Sequence, residues 1–258
     1  MADFDSKKPS IARIYDYGLG GKDNFAADRE LADKFIAMAP ETPLMLRENR
    51  DMQARAVRWA AEQGISQFID LGCGMPTEPS TQQTAQAVAP DARVAYVDND
   101  PVVVNHLTAL LHADPAAAIF DVDVNDAEAA LGKVAGLIDR SRPVCLLMGA
   151  LLHFYEPGAA RDLVARYTAA LAPGSYAVLT VFAIAGPNKD RLVELYSTGA
   201  HAVHVHSEAE FASFFGDLEL LPPGVADART WQPGWKTRPP TGAAREAWAY
   251  GGMARKNG

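Results

Sequence analysis

Between residues 68 and 182 short apolar runs alternate with segments of helical spacing, and that rhythm leaves few folds open. Runs at 68–71, 94–97, 118–122, 144–148 and 176–182 predict five strands. The segments 80–88, 102–112, 127–135 and 158–172 predict the helices between them. A helix between successive strands returns the chain to the same sheet edge, so the strands run parallel. Right-handed crossovers then place helices on both faces. The expected class is α/β, with a doubly wound, mostly parallel sheet.

The flanks follow other patterns. Helical spacing is found at 11–17, 28–39 and 44–63, with Gly18, Gly20, Gly21, Pro40 and Pro43 as punctuation. Residues 1–43 therefore read as an N-terminal helical cap or lid, and 44–258 as one globular unit. Past residue 182 the rhythm lapses. Helices are expected at 188–196 and 207–215, and strands at 218–221 and 248–254, joined by a Pro- and Gly-rich stretch from 222 to 242. With 258 residues, the chain can bury a substantial core.

The first predicted strand ends in Asp70-Leu71-Gly72-Cys73-Gly74. Glycines let the backbone turn sharply and let a ligand approach where a Cβ would intrude. Asp98 closes the next strand, about 20–30 residues after the turn, where a ribose-binding acid belongs. Its carboxylate can accept from both ribose hydroxyls. A dinucleotide site would show a third glycine and a helix opening directly on the turn. Here Thr77 stands at the third position, and Pro76, Glu78 and Pro79 intervene. Glu78 would also repel a pyrophosphate. S-adenosylmethionine carries an ammonium, a sulfonium and no phosphate, so the surrounding carboxylates suit it better than NAD. Asp123, after the third strand, could accept from the adenine amine, and the Val124 N–H could serve a ring nitrogen. The other reading of Asp121, Asp123 and Asp126 is a solvated acidic loop.

The chain resembles a bacterial S-adenosyl methyltransferase family of mostly unassigned substrate, within the class I methyltransferases. The resemblance rests on Ala12-Arg13-Ile14-Tyr15-Asp16-Tyr17, Gly20-Gly21-Lys22-Asp23-Asn24-Phe25, the stretch from Gln67 through Thr77, Tyr96-Val97-Asp98-Asn99-Asp100-Pro101, Leu152-His153-Phe154 and Pro173-Gly174-Ser175-Tyr176. It implies a seven-stranded sheet with one antiparallel strand, a helical N-terminal cap and S-adenosylmethionine as methyl donor. It places the methionine end near Asp70, Gly72, Cys73 and Gly74, the ribose at Asp98 beside Asn99, and the adenine at Asp123 and Val124. Gly149 belongs to the same expected set, and Tyr15, Asp16 and Asn24 would cover the cofactor as part of a lid. Cys73 stands where many relatives have a small hydroxyl residue, Ser80 and Gln82 replace an Asn and a His, and Val181-Phe182-Ala183 replaces a Ser-His pair. These departures touch the acceptor chemistry more than cofactor binding.

For proton transfer His153 is the candidate base, its alternative being a structural histidine packed under the cap. Tyr15 is the second catalytic candidate, with Tyr155, as lining of an acceptor pocket. No metal site is expected. His201, His204 and His206 lack a completing acid or cysteine, and a half-buried or loop-lining role fits them better. Cys73 reads as a small packed side chain, and Trp231, Trp235 and Trp248 as core or lid. The net charge of −8 argues against nucleic acid as partner. No apolar run is long enough to span a bilayer, and neither cysteine sits in a Cys-x-x-Cys pair, which points to a cytoplasmic protein. The expectation is a methyltransferase acting on a small molecule; the alternatives are a non-catalytic S-adenosylmethionine sensor and an NAD(P)-dependent oxidoreductase.

Overall fold

The structure is a computed structural model and describes residues 5–184, 187–199, 201–234 and 248–258. The five predicted strands form as β1 (Gln67–Leu71), β2 (Arg93–Asp98), β3 (Ala117–Asp121), β4 (Cys145–Met148) and β5 (Tyr176–Phe182). They pair in parallel in the order β3-β2-β1-β4-β5. The order reverses between β1 and β4, and ligands of open α/β sheets bind outside the carboxyl ends of strands at such a point. Two short strands, β6 (Glu219–Leu220) and β7 (Ala226–Asp227), precede β8 (Ala249–Arg255). β8 lies antiparallel beside β5, and β6 and β7 both pair with its outer edge. The sheet thus holds the expected single reversed strand, with its last position divided between two short pieces.

Successive strand residues face opposite sides of a sheet, and the apolar residues sort accordingly. Phe68, Val94, Tyr96, Cys145, Leu147 and Val178 pack against α3 (Thr42–Glu62), α4 (Thr81–Gln86) and α5 (Pro101–Leu111). Ile69, Leu71, Val97, Leu146, Met148 and Leu179 pack against α6 (Ala127–Val134), α7 (Pro157–Ala169) and α9 (Glu208–Ser213), where Phe211, Phe214 and Phe215 gather. Before α3 come α1 (Ile11–Gly18) and α2 (Ala26–Met38), and α8 (Lys189–Gly199) follows β5. Ile14, Leu31, Ala32, Phe35 and Leu192 bind α1, α2 and α8 into a third, smaller core.

The ends of the elements follow local chemistry. Ser80 caps α4 in a box with Gln83, Asp100 caps α5 and Asp126 caps α6, each satisfying amide donors that the helix leaves open. At the other end of α7, the Lys256 ammonium donates to the carbonyls of Thr168, Ala169 and Leu171 at 2.9, 2.9 and 2.7 Å. Arg13 in α1 donates to Asp28 in α2 at 2.8 Å, and Asp28 is fully buried. Asp28 also accepts from the Ser10 and Phe25 amides. The same arginine lies 3.8 Å from Asp100, and Ser10 Oγ donates to Asp100 as well. The first two helices are thereby fastened to the loop after β2. Trp231 is fully buried, Trp248 half-buried, and Trp235 lies outside the described residues.

Candidate functional site

A cleft of about 360 Å³ opens over the carboxyl ends of β1, β2 and β4. Its floor is the turn after β1. Gly72 and Gly74 have φ of +62° and +67°, values that disfavour any residue with a Cβ. The Gly72 amide donates to the Val97 carbonyl at 2.8 Å, tying the turn to β2. The Gly74 amide donates to Asp98 Oδ2 and the Asp100 amide to Asp98 Oδ1, both at 2.9 Å. Two backbone amides therefore fix the Asp98 carboxylate, and the Cys73 thiol donates to Oδ2 at 4.0 Å. Burial raises its pKa, and these amide bonds oppose the rise. Asn99, Asp100, Asp123 and Val124 extend the lining along one side. Asp123 Oδ1 accepts from the Asn125 amide at 2.8 Å, and Tyr167 Oη donates to the Val124 carbonyl at 2.9 Å. The loop that could have been merely solvated divides its acids: Asp123 lines the cleft, while Asp126 caps α6.

The opposite wall comes from helices preceding β1. Asn49, Arg50 and Gln53 of α3 reach over the turn, though Asn49 and Gln53 are only 1% and 7% exposed. Arg50 lies over the Tyr15 ring at 5.1 Å and donates from Nη2 to the Cys73 carbonyl at 3.3 Å, but its Nε is buried without a partner among the described residues. Asn49 Nδ2 donates to Tyr15 Oη, and its Oδ1 is buried without a partner among the described residues. Gly149, after β4, permits the approach of Gln53, since a Cβ there would lie 2.3 Å from the Gln53 amide oxygen. Among the described residues lining the cleft, Arg50 is the only Lys or Arg, facing Asp16, Asp98, Asp100 and Asp123. Such a site suits a ligand with more positive than negative charge, and above all one carrying a carboxylate for Arg50.

Of the residues expected from the sequence, Tyr15, Gly72, Cys73, Gly74, Asp98, Asn99, Asp123, Val124 and Gly149 line this one cleft. Three stand elsewhere. Asp70 lies behind the turn in a smaller cavity, where Thr81 Oγ1 donates to it at 2.7 Å. Burial raises its pKa. Asn24 braces the lid from outside, with Nδ2 donating to Asp16 Oδ2 at 2.8 Å. His153 is 1% exposed, and neither ring nitrogen has a partner among the described residues. It packs between Phe154 and Phe182, and burial pulls its pKa down to about 3. The imidazole is therefore neutral and does not line the cleft. Tyr15 lines the cleft with its ring, while its hydroxyl donates to the Leu46 carbonyl at 3.0 Å. Tyr155 also lines the cleft. Of the three later histidines, His201 lines the cleft, His204 faces Glu156 at 3.4 Å, and His206 packs on Phe214. No cluster of His, Cys, Asp and Glu able to hold a metal occurs among the described residues. Cys73 is buried, and burial raises its pKa well above that of a free thiol.

The α3 side chains were missed because a helix carrying Met45, Leu46, Met52 and Ala56 shows its core face first. The available signal was polar residues on that face, at Asn49 and Gln53.

The sequence profile of an S-adenosyl methyltransferase family matches residues 1–257. The chain belongs to this family. The methyltransferase is 40% identical to a solved candidate methyltransferase from Thermobifida fusca YX, covering 98% of this chain and 96% of that one, with a TM-score of 0.91. It is 35% identical to a DUF574 family protein from Streptomyces avermitilis MA-4680, covering 98% and 99%, with a TM-score of 0.89. A 1,6-didemethyltoxoflavin-N1-methyltransferase from Burkholderia thailandensis shares the fold at 17% identity and a TM-score of 0.51, over 88% of this chain and 87% of that one. No curated protein matches the chain. S-adenosylmethionine is thus the cofactor of this methyltransferase, in place of NAD, and the fold is that of the class I enzymes. No helix of the described residues is long and apolar enough to cross a membrane.

Proposed function

We propose that the cleft over β1, β2 and β4 holds S-adenosylmethionine and that the acceptor is a small molecule in the cytoplasm. The observation that carries this reading is the Asp98 carboxylate, held by the Gly74 and Asp100 amides at the head of an otherwise acidic cleft. In this assignment Asp98, beside Asn99, accepts from the ribose hydroxyls, and Asp123 with the Val124 amide takes the adenine edge. Gly72, Cys73 and Gly74 form the floor under the methionine portion. Arg50, with its unpartnered Nε, holds the methionine carboxylate, and Gly149 with Gln53 borders the reacting end. Asp70 acts through Thr81 and the turn, and Asn24 through Asp16. The bound cofactor supplies a methyl group on a sulfonium, open to in-line displacement. The residues contribute positioning and exclusion of water, with residues 1–43 as the cap. The acidic lining disfavours a phosphate backbone as acceptor.

Calorimetric titration with S-adenosylmethionine tests the assignment. Asp98→Ala weakens binding at least about 10-fold, on the order of 1.4 kcal/mol, while NAD binds neither protein. Unchanged affinity in the variant overturns the site.

A further inference from the structure

Helix α3 brings Asn49, Arg50 and Gln53 to the cleft along one turn. Asn49 and Gln53 stand four residues apart, so they are neighbours on one helix face. Both are more than nine-tenths buried. Buried amides ordinarily find hydrogen-bond partners within the protein. Here the Asn49 oxygen has none among the described residues, its nitrogen being spent on the Tyr15 hydroxyl at 2.8 Å. The Gln53 side chain forms no hydrogen bond among the described residues either, and its amide lies against Gly149. The nearby carboxylates are engaged elsewhere. Asp70 lines the cavity behind the turn and not the cleft, and Thr81 donates to it there. Asp16 accepts from the Asp23 amide and the Asn24 side chain, and Asp98 from the Gly74 and Asp100 amides.

We propose that the Asn49 and Gln53 amides receive the α-ammonium of S-adenosylmethionine, so that α3, with Arg50 on the carboxylate, recognises the whole amino-acid end of the cofactor. The inference rests on the cleft being the cofactor site. An ammonium carries three donors and no acceptor, and the two amide oxygens are acceptors. Hydrogen bonds to a charged group are stronger than neutral ones, and exclusion of water strengthens them further. Neutral amides also leave Arg50 available. An Asp or Glu in either position would pair with the guanidinium and compete with the ligand's carboxylate for it. The cleft therefore selects for a complete amino-acid end and against a nucleoside that has lost it.

Calorimetry on the full chain tests this with three probes: S-adenosylhomocysteine, S-adenosyl-3-thiopropylamine, which lacks the carboxylate, and 5′-methylthioadenosine, which lacks the whole amino-acid end. The wild type binds S-adenosylhomocysteine at least about 10-fold more tightly than 5′-methylthioadenosine. Gln53→Met, which removes no internal hydrogen bond, weakens S-adenosylhomocysteine and the propylamine alike by at least about 5-fold and leaves 5′-methylthioadenosine within about 2-fold. Asn49→Leu does the same; should it fold poorly for want of the bond to Tyr15, Gln53→Met decides alone. Arg50→Gln weakens S-adenosylhomocysteine but not the propylamine, separating the carboxylate from the ammonium. Binding of no probe by the wild type overturns the cofactor cleft and this inference with it. Equal wild-type affinity for S-adenosylhomocysteine and 5′-methylthioadenosine overturns the inference alone, as does a Gln53→Met variant that keeps its affinity for the propylamine or loses all three probes together.

Discussion

His153 shows how burial decides what a residue can do. Proton transfer needs an imidazole that meets both solvent or substrate and a hydrogen-bond partner. This one has neither, and its pKa falls from 6.5 to about 3. The pH dependence of stability follows from that direction. Between those values the unfolded chain binds a proton that the folded chain does not, so stability falls as pH drops from 6.5 toward 3. The contribution to the slope is at most about 1.4 kcal/mol per pH unit. In His153→Leu this part of the profile flattens, as measured by denaturant unfolding across that range. At pH 7 the variant unfolds within about 1 kcal/mol of the wild type or is more stable, because no hydrogen bond is lost and two unsatisfied polar atoms leave the core. A steep loss of stability at pH 7 would show that the ring nitrogens have partners after all. The sequence made His153 a candidate through its place after β4. Such a place fixes the backbone, whereas the orientation of the ring depends on Phe154, Phe182 and the segment that covers them.

At the scale of elements, α7 ends on a single cation. Lys256, just past β8, donates to three carbonyls at and just beyond the end of the helix and opposes the negative end of its dipole. Lys256→Met destabilises the fold by roughly 1–2 kcal/mol, read in thermal or denaturant unfolding. Lys256→Arg restores part of it, and an unchanged midpoint in the methionine variant would mean that water replaces the ammonium without loss. The central elements could be read in advance because each carries its own signal: alternating apolar runs for β1 to β5, and a Ser80–Gln83 box or an Asp cap for the helices between. β6 and β7 could not, since two residues have no periodicity, and both are defined only by pairing with β8. The polar face of α3 failed for a related reason. Asn49 and Gln53 lie on a buried face only because α1 and the loop after β4 close over them, a contact between segments far apart in sequence.

For the molecule as a whole, the cleft proposed for the cofactor was legible, and the small apolar chamber behind Tyr15 was not. Gly72, Gly74 and Asp98 owe their positions to one turn and two neighbouring strands. The chamber assembles from α1, α2, α8 and β5, and no pattern along the chain announces that Ala32 and Tyr196 will share a wall. The partition between the two spaces is a single ring, that of Tyr15, clamped by Arg50, Asn49, Phe182 and the Leu46 carbonyl. A shared partition couples its two sides thermodynamically. Whatever factor one ligand imposes on the affinity of the other is returned in equal measure. Crossed titrations of S-adenosylhomocysteine and xenon, an apolar probe small enough for the chamber, measure that factor, and in Tyr15→Leu it falls to about one as the clamp is lost. Cleft and chamber would then fill independently, each blind to what the other holds.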